Sequence, residues 1–126
     1  MLNVALGGTL HQHLGTGRSI SHLERLRRSE PVHNVALDSG SLLAGLCGLN
    51  RFGVNSIHHQ GIDRIAGALH SVGVAEDGVV EVLESADRSM LAVQWHPESI
   101  PTLSVSQALF VWLIGRAREF ASASRA

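Results

Sequence analysis

The sequence predicts an α/β domain. Two observations carry that reading: β-rich runs recur along the chain, and helix-patterned segments lie between and after them. A third is local: Glu76-Asp77-Gly78 separates two β-rich runs, and Asp-Gly is a strong hairpin signal. With 126 residues, 44% of them hydrophobic and 17% charged, the chain is long enough to bury a core of its own.

In order, residues 1–6 are apolar and end at Gly7-Gly8, which predicts the last turns of a helix and a glycine stop. Six residues cannot nucleate a helix in isolation, so the chain reads as beginning inside an element. Residues 9–31 are polar and Gly/Ser-rich, predicting a long loop with a helical turn near 21–28. His33, Val35 and Leu37 alternate with Asn34, Ala36 and Asp38 as in a short strand. Ser41 to Leu46 reads as a short helix capped by Ser39 or Ser41. Phe52 to Ile57 reads as a strand broken by His58-His59-Gln60-Gly61. The hairpin follows, with strands Leu69 to Ala75 and Val79 to Glu84. Met90 to Trp95 is an apolar run expected of a buried strand. Pro97 and Pro101 bracket a loop. Ser104-x-x-Gln107 is a capping-box pattern. It opens a helix through Phe120 with Leu109, Trp112 and Leu113 on its apolar side, followed by a fraying Ala/Ser tail.

Composition excludes several functions. The net charge is −1 and the basic residues form no stripe, so nucleic acid is not an expected partner. No apolar run is long enough to span a bilayer, so no membrane role is expected. One cysteine, Cys47, allows neither an intrachain disulfide nor a Cys-based zinc site, and a cytoplasmic setting is the default. No phosphate-binding glycine pattern is present and no cofactor is expected. The eight histidines exceed what this length usually carries and need a reason.

The sharpest chemical feature is Gln94-Trp95-His96-Pro97-Glu98 after a buried strand. In extended backbone His96 and Glu98 point to one face, and a carboxylate beside an imidazole fixes its tautomer and stabilises the imidazolium. The bland alternative is a strand-end His bonded to a nearby Glu. In Asn55-Ser56-Ile57-His58-His59-Gln60 the adjacent histidines point oppositely, so at most one lines a given pocket; the alternative is a loop whose side chains satisfy its own backbone. His11-x-His13 with His58, His59, His96 and Glu98 suggests a His/carboxylate metal site of the cupin kind. That pattern needs an acid a few positions on, where Gly17 and Arg18 stand, so no metal is expected. Cys47, late in an apolar helix, reads as core filler rather than as a reactive thiol.

Taken in order, Asn3 to Gln12, Gly40 to Ala44, Val54 to Gln60 and Val93 to Glu98 resemble the γ-glutamyl-γ-aminobutyrate hydrolase family of the class I glutamine amidotransferase-like superfamily. The resemblance runs from residue 3 to about residue 120. It implies a flavodoxin-like α/β fold, a mostly parallel sheet with flanking helices and one β-hairpin. Residues 1–126 would be the C-terminal part of a single hydrolase domain whose N-terminal half is missing. It further implies γ-glutamyl amide hydrolysis by a Cys-His-Glu triad through a γ-glutamyl thioester. His96 would be the base and acid, Glu98 its orienter, and His59, Gln60 and Ser56 the substrate border. Trp95 would pack beneath the catalytic His. The family's nucleophile and oxyanion-hole amides fall ahead of Met1 in this register, so the chain alone is expected to be inactive and to leave a raw sheet edge. A complementing N-terminal half or a second copy of the chain is the expected partner, beside a γ-glutamyl small molecule. Two other readings stay open: the glutaminase half of an amidotransferase working with a synthase, and a non-catalytic γ-glutamyl-binding or interaction fragment.

Overall fold

The computed structural model describes residues 1–15 and 17–124. Thr16 of the expected loop, and Arg125 and Ala126 of the expected tail, lie outside them. Seven strands and three α-helices follow in chain order: α1 Leu2–Ala5, β1 Leu10–His11, β2 His33–Leu37, α2 Leu42–Cys47, β3 Arg51–Val54, β4 Gly61–Ile62, β5 Leu69–Ala75, β6 Val80–Ser85, β7 Leu91–Val93 and α3 Ser104–Ala123. Two 3-10 turns, Arg25–Arg27 and Pro97–Ser99, complete the elements.

The main sheet has the order β3-β2-β5-β6-β7, and β1 pairs with β4 apart from it. Every pairing is antiparallel. This departs from the mostly parallel sheet that the resemblance implies. The cause is local for β5 and β6, because the Glu76-Asp77-Gly78 turn folds one directly back on the other. Gly78 has φ +83°, which a residue with a Cβ rarely adopts, and Ala75 and Val79 close the turn through a 2.8 Å backbone bond. The register shifts between Ser71 and Gly73, where a Cβ on Gly73 would lie 2.7 Å from both Leu37 and Val82.

One face of the sheet buries Val35, Leu37, Val54, Val72, Val82 and Trp95 against α2 and the start of α3, through Leu43, Ala44 and Val105. The Ser41 hydroxyl caps α2 by accepting from the Ala44 amide at 3.2 Å. β6 is buried along nearly its whole length, with Val82 facing this core and Leu83 a second one with Ala66 and Leu69.

Four local expectations change. β3 ends at Val54 rather than at residue 57, because Asn55 and Ser56 turn their side chains into other loops. The capping box at Ser104 does not form: Leu103 is the N-cap and no side chain caps the helix. The apolar side of α3 is only partly used. Leu109 packs on the core, whereas Val111, Leu113, Ile114 and Phe120 are 51–75% exposed. The tail also stays helical through Ala123, with Ser122 and Ser124 hydroxyls bonded to carbonyls one turn back. Among the described residues no helix is long and apolar enough to cross a membrane.

Candidate active site

His96 follows β7 and begins the turn that Pro97 opens. Pro97 cannot extend the sheet ladder, so the chain leaves it here and brings Glu98 back beside His96. His96 Nδ1 and Glu98 Oε1 stand 2.7 Å apart. This is a short bond in the charge-assisted range. The hydrogen bond from His96 is the main cause holding the Glu98 carboxyl below its ordinary value, so it is a carboxylate at neutral pH. With Nδ1–H donated to Glu98, Nε2 carries the free lone pair, and among the described residues it makes no hydrogen bond.

The backbone of His96 is gripped by Asn55, whose side chain is fully buried. Asn55 Oδ1 accepts the His96 N–H at 2.9 Å, and its Nδ2 donates to the carbonyls of His96 at 3.0 Å and Arg28 at 2.6 Å. Trp95 is buried beneath, packed edge-on against Phe52 at 5.6 Å between ring centroids. Three positions far apart in sequence therefore fix where the imidazole starts.

His59 and Gln60 line a cavity of about 320 Å³, together with Met1, Leu2, His58 and Gln94. Gln94 Nε2 donates to the Gln60 carbonyl at 3.1 Å, which ties this rim to the end of β7. Ser56 is elsewhere. It is fully buried, and its hydroxyl donates to the His22 carbonyl at 3.0 Å. The structure thus brings His96 to Glu98, and His59 to Gln60, but turns the Ser56 side chain into the interior. Cys47 is half-buried against the main core, and its thiol points to the Leu49 carbonyl at 3.7 Å.

The remaining histidines separate into two groups. His11 is exposed 3.6 Å from Asp63, His70 is exposed 3.6 Å from Glu84, and His13 lies with its ring 6.2 Å from that of His59. His22, His33 and His58 instead converge on Glu81 inside the molecule. His22, His58 and Glu81 each bring one donor atom within 4.8 Å of the others, the arrangement of a metal-capable cluster. Sequence reasoning passed over His22, His33 and Glu81. Glu81 did leave a signal, as a charge inside the valine-rich run that became β6.

Residues 1–98 match the family described as Peptidase C26. The glutamine amidotransferase-like protein YvdE of Lactococcus lactis is 39% identical over 100 residues, covering 78% of this chain and 42% of that protein. The gamma-glutamyl-gamma-aminobutyrate hydrolase PuuD of Escherichia coli is 34% identical over 105 residues, covering 77% of this chain and 41% of that one. The chain therefore spans less than half the length of these two relatives. A solved structure from Thermoplasma acidophilum, described as that of a GMP synthase subunit, superposes with a TM-score of 0.70 over 99% of this chain and 56% of its own. At 13% identity that likeness establishes the α/β amidotransferase-like fold and nothing finer.

Proposed function

Because this chain belongs to the Peptidase C26 family, we propose that it supplies the His-Glu side of a cysteine hydrolase site acting on γ-glutamyl amides. The observation that carries this reading is the 2.7 Å bond between His96 Nδ1 and Glu98 Oε1. It leaves His96 Nε2 as a base with its tautomer already fixed. Asn55 is the positioning residue that holds His96 through its backbone. His59 and Gln60 border the substrate, and Ser56 acts indirectly by anchoring the loop that carries them.

The nucleophilic thiol belongs to the portion of the relatives' fold that this sequence does not span. With that thiol supplied, His96 Nε2 takes its proton, and the thiolate attacks the γ-carbonyl carbon to give a tetrahedral oxyanion. The C–N bond then breaks as the imidazolium gives its proton to the departing amine, leaving a γ-glutamyl thioester. Water attacks the thioester, its proton passes to His96, the C–S bond breaks, and free glutamate and the thiol are restored. The exposed apolar side of α3 is the surface we assign to packing against the remainder of the fold, whether in the same polypeptide or in a partner. L-Glutamine is the simplest γ-glutamyl amide, and the amidotransferase-like relative favours it as the second candidate substrate.

The test joins the N-terminal half of the Lactococcus lactis relative to residues 1–126. Glutamate release is followed from γ-glutamyl-γ-aminobutyrate and from L-glutamine. The expected result is turnover that falls about a thousandfold or more with His96→Ala. A folded chimera equally active with and without His96 overturns the assignment. Stoichiometric binding of a γ-glutamyl compound without turnover also overturns it, in favour of a binding fragment.

A further inference from the structure

Among the described residues Glu81 is the one carboxylate whose side chain is wholly enclosed, and its surroundings are unusual. Neither of its oxygens has a hydrogen-bond partner. Three imidazole nitrogens face one of them instead. His58 Nε2 stands 3.4 Å from Oε1, His22 Nδ1 3.6 Å and His33 Nε2 3.7 Å. The last two contacts are too long for hydrogen bonds, and the first lacks the alignment of one. Burying a carboxylate without partners is costly, so this arrangement requires something between these atoms.

The outer nitrogens say what. His58 Nδ1 lies 2.9 Å from the Gln60 carbonyl, and His33 Nδ1 3.3 Å from the Asn34 carbonyl. His22 Nε2 lies 3.1 Å from Asp77 Oδ2. Carbonyls and carboxylates only accept, so in each ring the outer nitrogen carries the hydrogen. In the neutral ring, the form that ligates metal, the inner nitrogen is then a lone pair facing Glu81. Ser56 does not relieve His22, because its single hydroxyl hydrogen is committed to the His22 carbonyl. Burial is the main cause holding the His22 pKa below its ordinary value, which keeps its ring neutral and able to ligate. Three lone pairs and a carboxylate sharing one enclosed space repel one another unless a cation joins them.

We infer that His22 Nδ1, His58 Nε2 and Glu81 Oε1 bind one divalent transition-metal ion, with zinc the best fit and its fourth position left to a non-protein ligand; His33 faces the same carboxylate oxygen from outside that set. Tetrahedral zinc with bonds of about 2.0–2.1 Å has ligand-to-ligand edges of about 3.4 Å. His58 and His22 stand 3.4 and 3.6 Å from Glu81 Oε1, and the three ligand atoms lie within 4.8 Å of one another. The outer partners match what metal-bound histidines need, a carboxylate or carbonyl on the second nitrogen that fixes tautomer and ring orientation. Two openings reach the cluster. The cavity beside His59 and Gln60 touches His58 and Glu81, and a second of about 340 Å³ touches His22 and His58. The ligands come from the 9–31 loop, β6 and the loop after β3, so the ion joins three segments that share little sequence locality. The loop after β3 also carries Asn55. On the function proposed above, the ion would thereby steady the residue that holds His96.

The test uses the 126-residue chain stripped with EDTA and reads metal, not activity. Zinc is titrated and counted by elemental analysis, and cobalt(II) is added separately for its visible spectrum. About one zinc per chain and an intense tetrahedral cobalt band are expected. Glu81→Gln and His22→Asn should each abolish stoichiometric binding. Asp77→Asn should weaken it by about 10–100-fold while changing no ligand. His11→Asn with His13→Asn should leave it intact. Absence of stoichiometric zinc and of the cobalt band in the unaltered chain overturns the proposal, whatever the variants do. Binding that survives Glu81→Gln in a folded protein, or that disappears with His11 and His13, also overturns it. None of these readouts depends on hydrolysis, so failure of the metal site and failure of the hydrolase reading are separable.

Discussion

At the end of β7, His96 and Glu98 meet at 2.7 Å with 41% and 62% of their side chains exposed. Inside the molecule, Glu81 meets three histidines at 3.4–3.7 Å with its own side chain wholly enclosed. On the two readings proposed above, the same residue types serve opposite purposes in the two places. The outer pair is short, aligned and open, so Glu98 can hold the ring's tautomer while His96 Nε2 exchanges protons with substrate or solvent. The inner group is spaced too widely to share protons well and is closed around a point that a cation would fill. Spacing and exposure, rather than residue identity, separate a proton-transfer pair from a ligand set.

His96→Ala is the variant expected to act most strongly on this contrast. It should lower kcat/KM of the chimera described above about a thousandfold or more and leave zinc stoichiometry as it was. Loss of zinc together with activity would merge the two sites into one. Asn55→Ala comes next. It removes the acceptor of the His96 amide and the donor to the Arg28 and His96 carbonyls, and should destabilise the chain by about 1–3 kcal/mol in urea melts. It should also lower kcat more than it raises KM, since the base is displaced rather than the substrate contacts. A change in stability alone would reduce Asn55 to a structural role.

Acid separates the sites by where each begins to fail. For metal-free protein, the His22 pKa lies below 6.5 when folded, chiefly through burial, so protons favour the unfolded chain. Its contribution is complete above about pH 6.5 and is lost as the pH falls through the folded value. Glu98 also has a lowered folded pKa, so its smaller contribution holds above 4.5 and fades only below that. Thermal melts of the stripped chain should therefore begin to fall near pH 6.5 rather than near 4.5. A profile flat from 7 to 5 would contradict the assignment of His22 as a neutral buried ring. Cys47→Ala should do least, shifting stability by about 1 kcal/mol or less and leaving the turnover of the complete enzyme unaltered. A large loss of turnover would make Cys47 the nucleophile after all.

Much of the outer site was legible in the sequence because it is local. Two residues of spacing and one proline bring His96 and Glu98 together, and β2, the hairpin and α2 follow from alternation, Asp-Gly and a serine cap. The inner group was not legible, because His22, His33, His58 and Glu81 meet only through sheet pairing and loop packing. Asp77 illustrates the difficulty: it reads as a turn residue, yet its side chain faces inward and holds His22. Leu113 misled in the other direction. It has the right helical period for a core face, but periodicity does not say whether anything covers that face.

The first helix, α1, has four residues and no capping side chain. Its anchor is Asn3, which donates to the carbonyls of Thr9 and Arg64 and accepts the Ala66 amide at 2.9 Å. The Ala66 N–H is thus shielded from solvent by a side chain near the other end of the chain. Its rate of deuterium uptake will report how often α1 lifts away, independently of whether the sheet opens. A single amide in the middle of the sequence becomes a clock for the docking of the first turn.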